Sequence, residues 1–284
     1  MVRKIQVITT ILLCLLCLNC SRKNHEITII PDIQKNHRQS NGLKGEVKTV
    51  RSTTYHVYKD STRAPVKLSI FIQNYSADGY LISTYLLNSD SDTVKERQIH
   101  YCSDAKQDYW IERSPVGQTL ARHEYEYDLS RYLVKEKIYE GDSLICTMVY
   151  KNDGFGNPFE MWQNYGTFTL HNEMHYNAQG LLVRENEYDP NGKLFKYITI
   201  EHDNYGDEVN RRVFKSGDHL IEYMYTRYDA EGRLQTKVFE NLQVRTREIY
   251  QYSQHDTQGN WQREERAFDG QPTRYIRERE IIYY

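Results

Sequence analysis

Polar and apolar residues alternate along this chain in short runs, and the runs recur at a fixed spacing. A glycine column returns at Gly79, Gly156, Gly180, Gly206, Gly232 and Gly259, with gaps of 77, 24, 26, 26 and 27 residues. The first gap holds two further copies in which Ala105 and Arg131 stand at the glycine position. Four residues before that column lies an anchor: Tyr75, Tyr101, Tyr127, Asn152, Tyr176, His202, Tyr228 or His255. The residue just before the anchor is polar in every copy (Asn74, His100, Glu126, Lys151, His175, Glu201, Arg227, Gln254). One step further back it is mostly apolar or aromatic (Gln73, Ile99, Tyr125, Tyr150, Met174, Ile200, Thr226, Ser253). Period-two alternation predicts strands with two different faces. A repeat near 26 residues predicts an array of identical supersecondary units.

The turn chemistry agrees. Ser, Asp or Asn follows the anchor in seven of the eight copies, with Cys102 as the exception. Such a side chain accepts the backbone N–H two residues on, and the later glycine closes the hairpin at positive φ. Ala105 and Arg131 therefore predict turns that are strained or differently built. A second turn falls midway through each unit, most clearly at Asp189-Pro190-Asn191-Gly192. Two strands per unit give about sixteen strands. An opening hairpin precedes them, within residues 45–74. The expected fold is all-β: a single-domain antiparallel meander of about eight hairpin repeats, forming an elongated, twisted or curled sheet over residues 45–284. Its apolar face must be covered, and the sheet would curl into a trough or wrap on itself. The 25 tyrosines suit a half-buried pleated face on which the hydroxyl stays wet.

The unit Tyr228-Asp229-Ala230-Glu231-Gly232-Arg233-Leu234 resembles the YD repeat of Rhs-type proteins, and Tyr188-Asp189-Pro190-Asn191-Gly192-Lys193-Leu194 matches it as well. The resemblance covers about residues 70–265 and implies a β-strip that can coil into a shell. The period here is longer than in Rhs shells, and nothing matches the aspartyl self-cleavage core of those proteins. The chain is more similar to small envelope lipoproteins with degenerate copies of the repeat, whose role is not established.

The beginning of the chain carries a different signal. Arg3 and Lys4 precede the apolar run Ile5 to Leu18, which is too short to span a membrane and suits a signal peptide. Cys17-Leu18-Asn19-Cys20 resembles a lipobox, which makes Cys20 the lipidation site; the alternative is an ordinary secretory signal cleaved elsewhere. The expected domains are a signal peptide at 1–19, a lipidated cysteine and polar tether at 20–44, and the repeat domain at 45–284. Ser21-Arg22-Lys23-Asn24 has no acidic run, which favours a periplasm-facing outer-membrane anchor over surface exposure. Losing Arg3 and Lys4 takes the net charge from −2 to −4, no field for nucleic acid. Cys102 and Cys146 remain, either paired in an oxidising compartment or as two free strand residues.

No catalytic set emerges. His171 and His175 lie about 13 Å apart if they sit on a strand, too far to chelate one ion as a pair. Asp203-Asn204-Tyr205-Gly206-Asp207 reads as a turn rather than a calcium loop. Glu124 and Glu126 share a face and read as solvated rather than as a glycosidase pair. No metal site and no cofactor are expected. The candidate binding residues are the aromatics Tyr109, Trp110, Trp162 and Trp261, against the plainer reading that they cap the apolar face. The leading expectation is a non-catalytic envelope scaffold or binding module, with a protein or glycan partner and the membrane as the second partner. The alternative is an envelope enzyme with its site at Gly154–Thr169, where the repeat degenerates. A transmembrane barrel has the strand count, but the lipobox and a mean hydropathy of −0.78 argue against it.

Overall fold

The computed structural model describes residues 37–58, 62–103, 105–269 and 274–284. The signal-like run, Cys20 and most of the tether lie outside these residues. Among the described residues eighteen antiparallel strands run from β1 (Val47–Val57) to β18 (Arg274–Tyr283). The expected count of sixteen plus an opening hairpin matches this number.

The expected open or curled strip is wrong: the sheet is a closed barrel. β1 pairs with β2 (Val66–Tyr75) on one side and with β18 on the other, so Val50 faces both Gln73 and Ile281. The ladder to β18 extends from Val47↔Tyr283 to Val57↔Arg274. Closure satisfies the backbone donors and acceptors that two free edges would expose. At the seam Val47 and Val50 are fully buried and pack with Leu43 and Tyr75 against Leu81, Ile281 and Tyr283. Tyr284 ties the end of the chain across the seam, its hydroxyl donating to the carbonyl of Tyr75 at 2.6 Å.

Each repeat turn is built as its residues predict. Asp229 Oδ1 accepts the N–H groups of Glu231 (3.0 Å) and Arg233 (2.8 Å), while Gly232 at φ +71° donates to the Asp229 carbonyl at 3.0 Å. Ala105 (φ +63°) and Arg131 (φ +67°) take the same conformation and donate to Cys102 and Asp128 at 3.0 Å each. Those two turns are therefore built like the rest, and their side chains bear the strain of the left-handed region. The stretch Gly154–Thr169 is also regular. Asp153 and Gly156 form the standard turn, β9 (Pro158–Asn164) follows, and β10 (Thr169–Tyr176) pairs with it.

Anchor hydroxyls are not wet as expected. Tyr101 donates to the carbonyl of Leu81 (2.6 Å), Tyr127 to Gln107 (2.7 Å) and Tyr176 to Pro158 (2.8 Å). Where the anchor is asparagine, Asn152 Nδ2 donates to Leu133 at 2.7 Å; His255 Nε2 lies 3.1 Å from the Leu234 carbonyl. In each case the acceptor is the residue two beyond the glycine position of the preceding unit. Burial pushes the Tyr101 phenol well above its ordinary pKa, which keeps it a donor.

All repeat turns share one rim with both described chain ends, and the mid-unit turns form the other. Residues 37–44 are held against the repeat-turn rim. Arg38 N–H donates to the Gly79 carbonyl, and Lys44 exchanges two bonds of 2.8 Å with the Asn260 side chain. The polar column before each anchor points outward and the column before it inward, except in the last copy, where Gln254 takes φ +53°, Ser253 lies outward opposite Arg263 and Tyr252 turns inward. The outward wall carries ion pairs such as Glu126 with Lys135 and Lys137, and Glu201 with Arg212. Facing lipid, each such cation near the midplane would cost about 2–4 kcal/mol. Closure turns the inward wall toward the space the barrel encloses, its lumen.

Candidate functional site

One stretch of the inward wall gathers polar and aromatic groups into a continuous network. It spans β4 (Thr93–Tyr101), β5 (Gln107–Arg113), β6 (Thr119–Tyr127), β7 (Leu133–Glu140) and β8 (Ser143–Asn152). Cross-strand pairing sets Arg97 opposite Glu112, Trp110 opposite His123 and Tyr125 opposite Glu136. The Trp110 ring stacks on His123 at 4.0 Å, and the Arg97 guanidinium lies 4.0 Å over the same indole. Trp110 Nε1 donates to the Tyr125 hydroxyl at 3.1 Å. His123 Nδ1 sits 2.5 Å from Glu136 Oε1, and Tyr150 donates to the other carboxylate oxygen at 3.1 Å. Burial first, and the Glu136 charge second, push the Tyr125 and Tyr150 phenols well up. Both stay protonated and available as donors at neutral pH. Beside this network Phe71, Thr84, Leu86, Lys95, Arg97 and Glu112 line a niche.

A second inward patch lies on β16 (Thr246–His255), β17 (Trp261–Phe268) and β18. The Arg279 guanidinium is 3.4 Å from the centre of the Trp261 ring, and Tyr252 lies 5.1 Å from that indole. Arg266 bonds Glu248 at 2.6 Å, and Arg277 reaches Glu264 at 3.5 Å. Burial, reinforced by the neighbouring charge of Arg277, lowers the Arg279 pKa to about 10.

The four aromatics singled out from the sequence are not brought together. Tyr109 and Trp110 are consecutive on β5, so they face opposite ways: Tyr109 stacks outward on His100 at 4.2 Å, while Trp110 enters the inward network. Trp162 faces out beneath Lys151 (4.6 Å) and against His171 (5.1 Å). Trp261 is inward, with β17 six strands from β5 round the barrel. His171 stacks between Trp162 and Tyr188, and His175 lies beside Asn186 on the outer wall. Asp203 spends its carboxylate on the N–H groups of Tyr205 and Asp207, as a turn requires. Glu124 accepts from Tyr139 and pairs with Arg122. Cys102 and Cys146 are free, one near each rim. Among the described residues no three His, Cys, Asp or Glu side chains gather as metal ligands.

Arg97, His123 and Asn172 were missed by sequence reasoning, yet one signal points to them. All three stand four residues before an anchor, in the inward column, where an apolar residue is expected. Polar groups in that column mark a wall that faces solvent or ligand rather than a core.

No family model matches the chain. Human teneurin-4 is 21% identical over 290 residues, covering 81% of this chain and 10% of the relative. Mouse teneurin-3 is 27% identical over 191 residues, covering 62% of this chain and 7% of the relative. The chain thus spans a tenth or less of these relatives, which contain YD repeats. Among solved structures, a porin-like protein from Bacteroides uniformis is similar with a TM-score of 0.46 and 12% identity, covering 84% of this chain and 98% of that one. A TcdB2–TccC3–Cdc42 complex gives a TM-score of 0.37 and 11% identity, covering 80% of this chain and 16% of that one. The teneurin similarity agrees with the YD-repeat resemblance and assigns no activity.

Proposed function

We propose that this protein is a lipid-anchored β-barrel of the bacterial cell envelope that stands in water and binds a protein or glycan on its inward wall without transforming it. The observation that carries the reading is the division of the two walls. Charges face outward where a membrane barrel needs lipid-facing apolar residues, and the lumen holds the stacked Arg97–Trp110–His123 ladder with its satisfied partners. Stacked rings, fixed phenolic donors and paired charges suit a ligand rich in hydroxyls or amides. Cys20, ending the apolar run, supplies the anchor, on the outer membrane and toward the periplasm.

The test is capture of envelope material by the full lipidated protein, with acylation followed by labelled palmitate. Cys20→Ala should abolish label incorporation. Trp110→Ala should weaken capture at least tenfold, while the outward Trp162→Ala leaves it unchanged. Capture lost with Trp162→Ala alone would move the site to the outer wall and end this reading.

One specific observation favours a second reading, an envelope enzyme. The His123–Glu136 pair faces the lumen as an oriented base would. Its site is then this dyad rather than Gly154–Thr169, where Glu160 pairs outward with Lys151. Turnover of a captured glycan that His123→Gln abolishes would decide for it.

A further inference from the structure

Among the described residues five arginines face the lumen, and four of them are matched to a carboxylate. Arg97 bonds Glu112, Arg211 bonds Glu208, Arg266 bonds Glu248, and Arg277 reaches Glu264. Arg279 forms no such pair among the described residues. Its Nε is buried and has no hydrogen-bond partner. One face of its guanidinium is covered by Trp261 at 3.4 Å. The residue opposite it on β1 is Ser52, which is buried and neutral. Glu264, the carboxylate whose charge reaches it, is already engaged by Arg277, and the phenols of Tyr75 and Tyr252 are held protonated by burial. The result is two arginines about one carboxylate, with Arg279 the one left without a bond to it, partly buried against an indole, two inward positions from the repeat-turn rim.

A buried unpaired guanidinium is costly, and its planar fork matches a carboxylate through two parallel N–H···O bonds. We infer that Arg279, with Trp261 behind it, is the subsite for a carboxylate group on the lumenal ligand, such as that of an acidic sugar. The inference rests on the lumen being the ligand site and adds the charge class of what enters it. One uncompensated cation suits a monoanion. A phosphate dianion would need the second charge of Arg277, which Glu264 already holds.

D-glucuronate, titrated into the full chain by calorimetry with indole emission recorded alongside, tests this. Binding should saturate and shift the emission, and Trp261→Phe should remove the shift. Arg279→Met should weaken binding at least tenfold, with Arg279→Lys intermediate because it keeps the charge but not the fork. D-glucose should not compete. Arg279→Met should also melt no lower than the native protein, since it removes a charge with no partner; that control separates lost binding from lost folding. Unchanged glucuronate binding in Arg279→Met, equal competition by D-glucose, or tighter binding of inorganic phosphate would each overturn the assignment. If Trp110-dependent capture persists while glucuronate shows no Arg279-dependent binding, the lumen remains the ligand site and this subsite is rejected. If both are lacking, both readings fall.

Discussion

Glu112 and Glu126 each bond two cations, on opposite walls. Glu112 takes Lys95 at 3.0 Å and Arg97 at 3.1 Å; Glu126 takes Lys135 at 2.9 Å and Lys137 at 2.7 Å. They differ in surroundings: the Glu112 side chain is 12% exposed and that of Glu126 44%. The cations are alike in exposure, 41% and 36% on the inner wall against 37% and 34% on the outer, so the difference in screening lies at the carboxylate. The repeat thus places equivalent charges in two dielectric settings through nothing more than the alternation of a strand. In one setting they act as solvated decoration, and in the other they fix the wall a ligand would meet.

The largest contrast should come from removing each carboxylate. Glu112→Ala removes two bonds from a carboxylate that is only 12% exposed, but leaves Lys95 and Arg97 open to water, and should cost about 1–2 kcal/mol, read as a lower urea midpoint. Glu126→Ala should cost under about 0.5 kcal/mol. Equal losses would show that the lumen is as well solvated as the outside. Next come the hydroxyls. Tyr101→Phe strips a buried bond to the Leu81 carbonyl and should cost about 1–2 kcal/mol. Tyr139→Phe, whose hydroxyl serves Glu124 on the outer wall, should cost no more than about 0.5 kcal/mol. A smaller effect, opposite in sign, is expected at the rim. Ala105→Gly relieves a side chain at φ +63° and should raise stability by about 0.5–1 kcal/mol, whereas Gly232→Ala should lower it. Thermal melts of the two variants should move apart.

The smallest effect is the pH dependence of the outer trio. Hydrogen bonds from Lys137 and then Lys135 hold the Glu126 carboxyl below its ordinary value. Its contribution is therefore fully present above the unfolded-state carboxylate pKa and is lost as pH falls through the lowered folded-state value. Urea midpoints of native and Glu126→Ala proteins should differ slightly at neutral pH and converge in acid or molar salt. A gap that widened in acid would mean that the carboxylate opposes folding.

Much of this architecture was legible because it is local. The strand count, both turn series and the inward and outward columns depend on residues within four of one another. Closure was not, because Val47 meets Tyr283 only after the whole array is laid down, and no short-range pattern encodes that pairing. The degenerate middle misled for a related reason. Asn152 departs from the tyrosine column, yet its amide reaches the same carbonyl position as a phenol does, so a gap in the letters is no gap in the chemistry. The inward network stayed hidden because an inward column was expected to be a covered core. His123 and Arg97 occupy it as stacked and paired polar groups on the enclosed wall.

The bond from each anchor back to the unit before it has one more consequence. Where that bond forms, as at Tyr101, Tyr127, Asn152, Tyr176 and His255, the reach is 18 to 21 residues. Through that bond a unit recognises its predecessor by position rather than by residue type. Excising one whole unit, for example residues 203–228, would bring Asp229 directly after His202 and rejoin like with like. The ring would then close on sixteen staves instead of eighteen, its bore narrowed by the width of one hairpin. Girth in this protein is a counting variable, set by how many times the unit is written rather than by what any copy says.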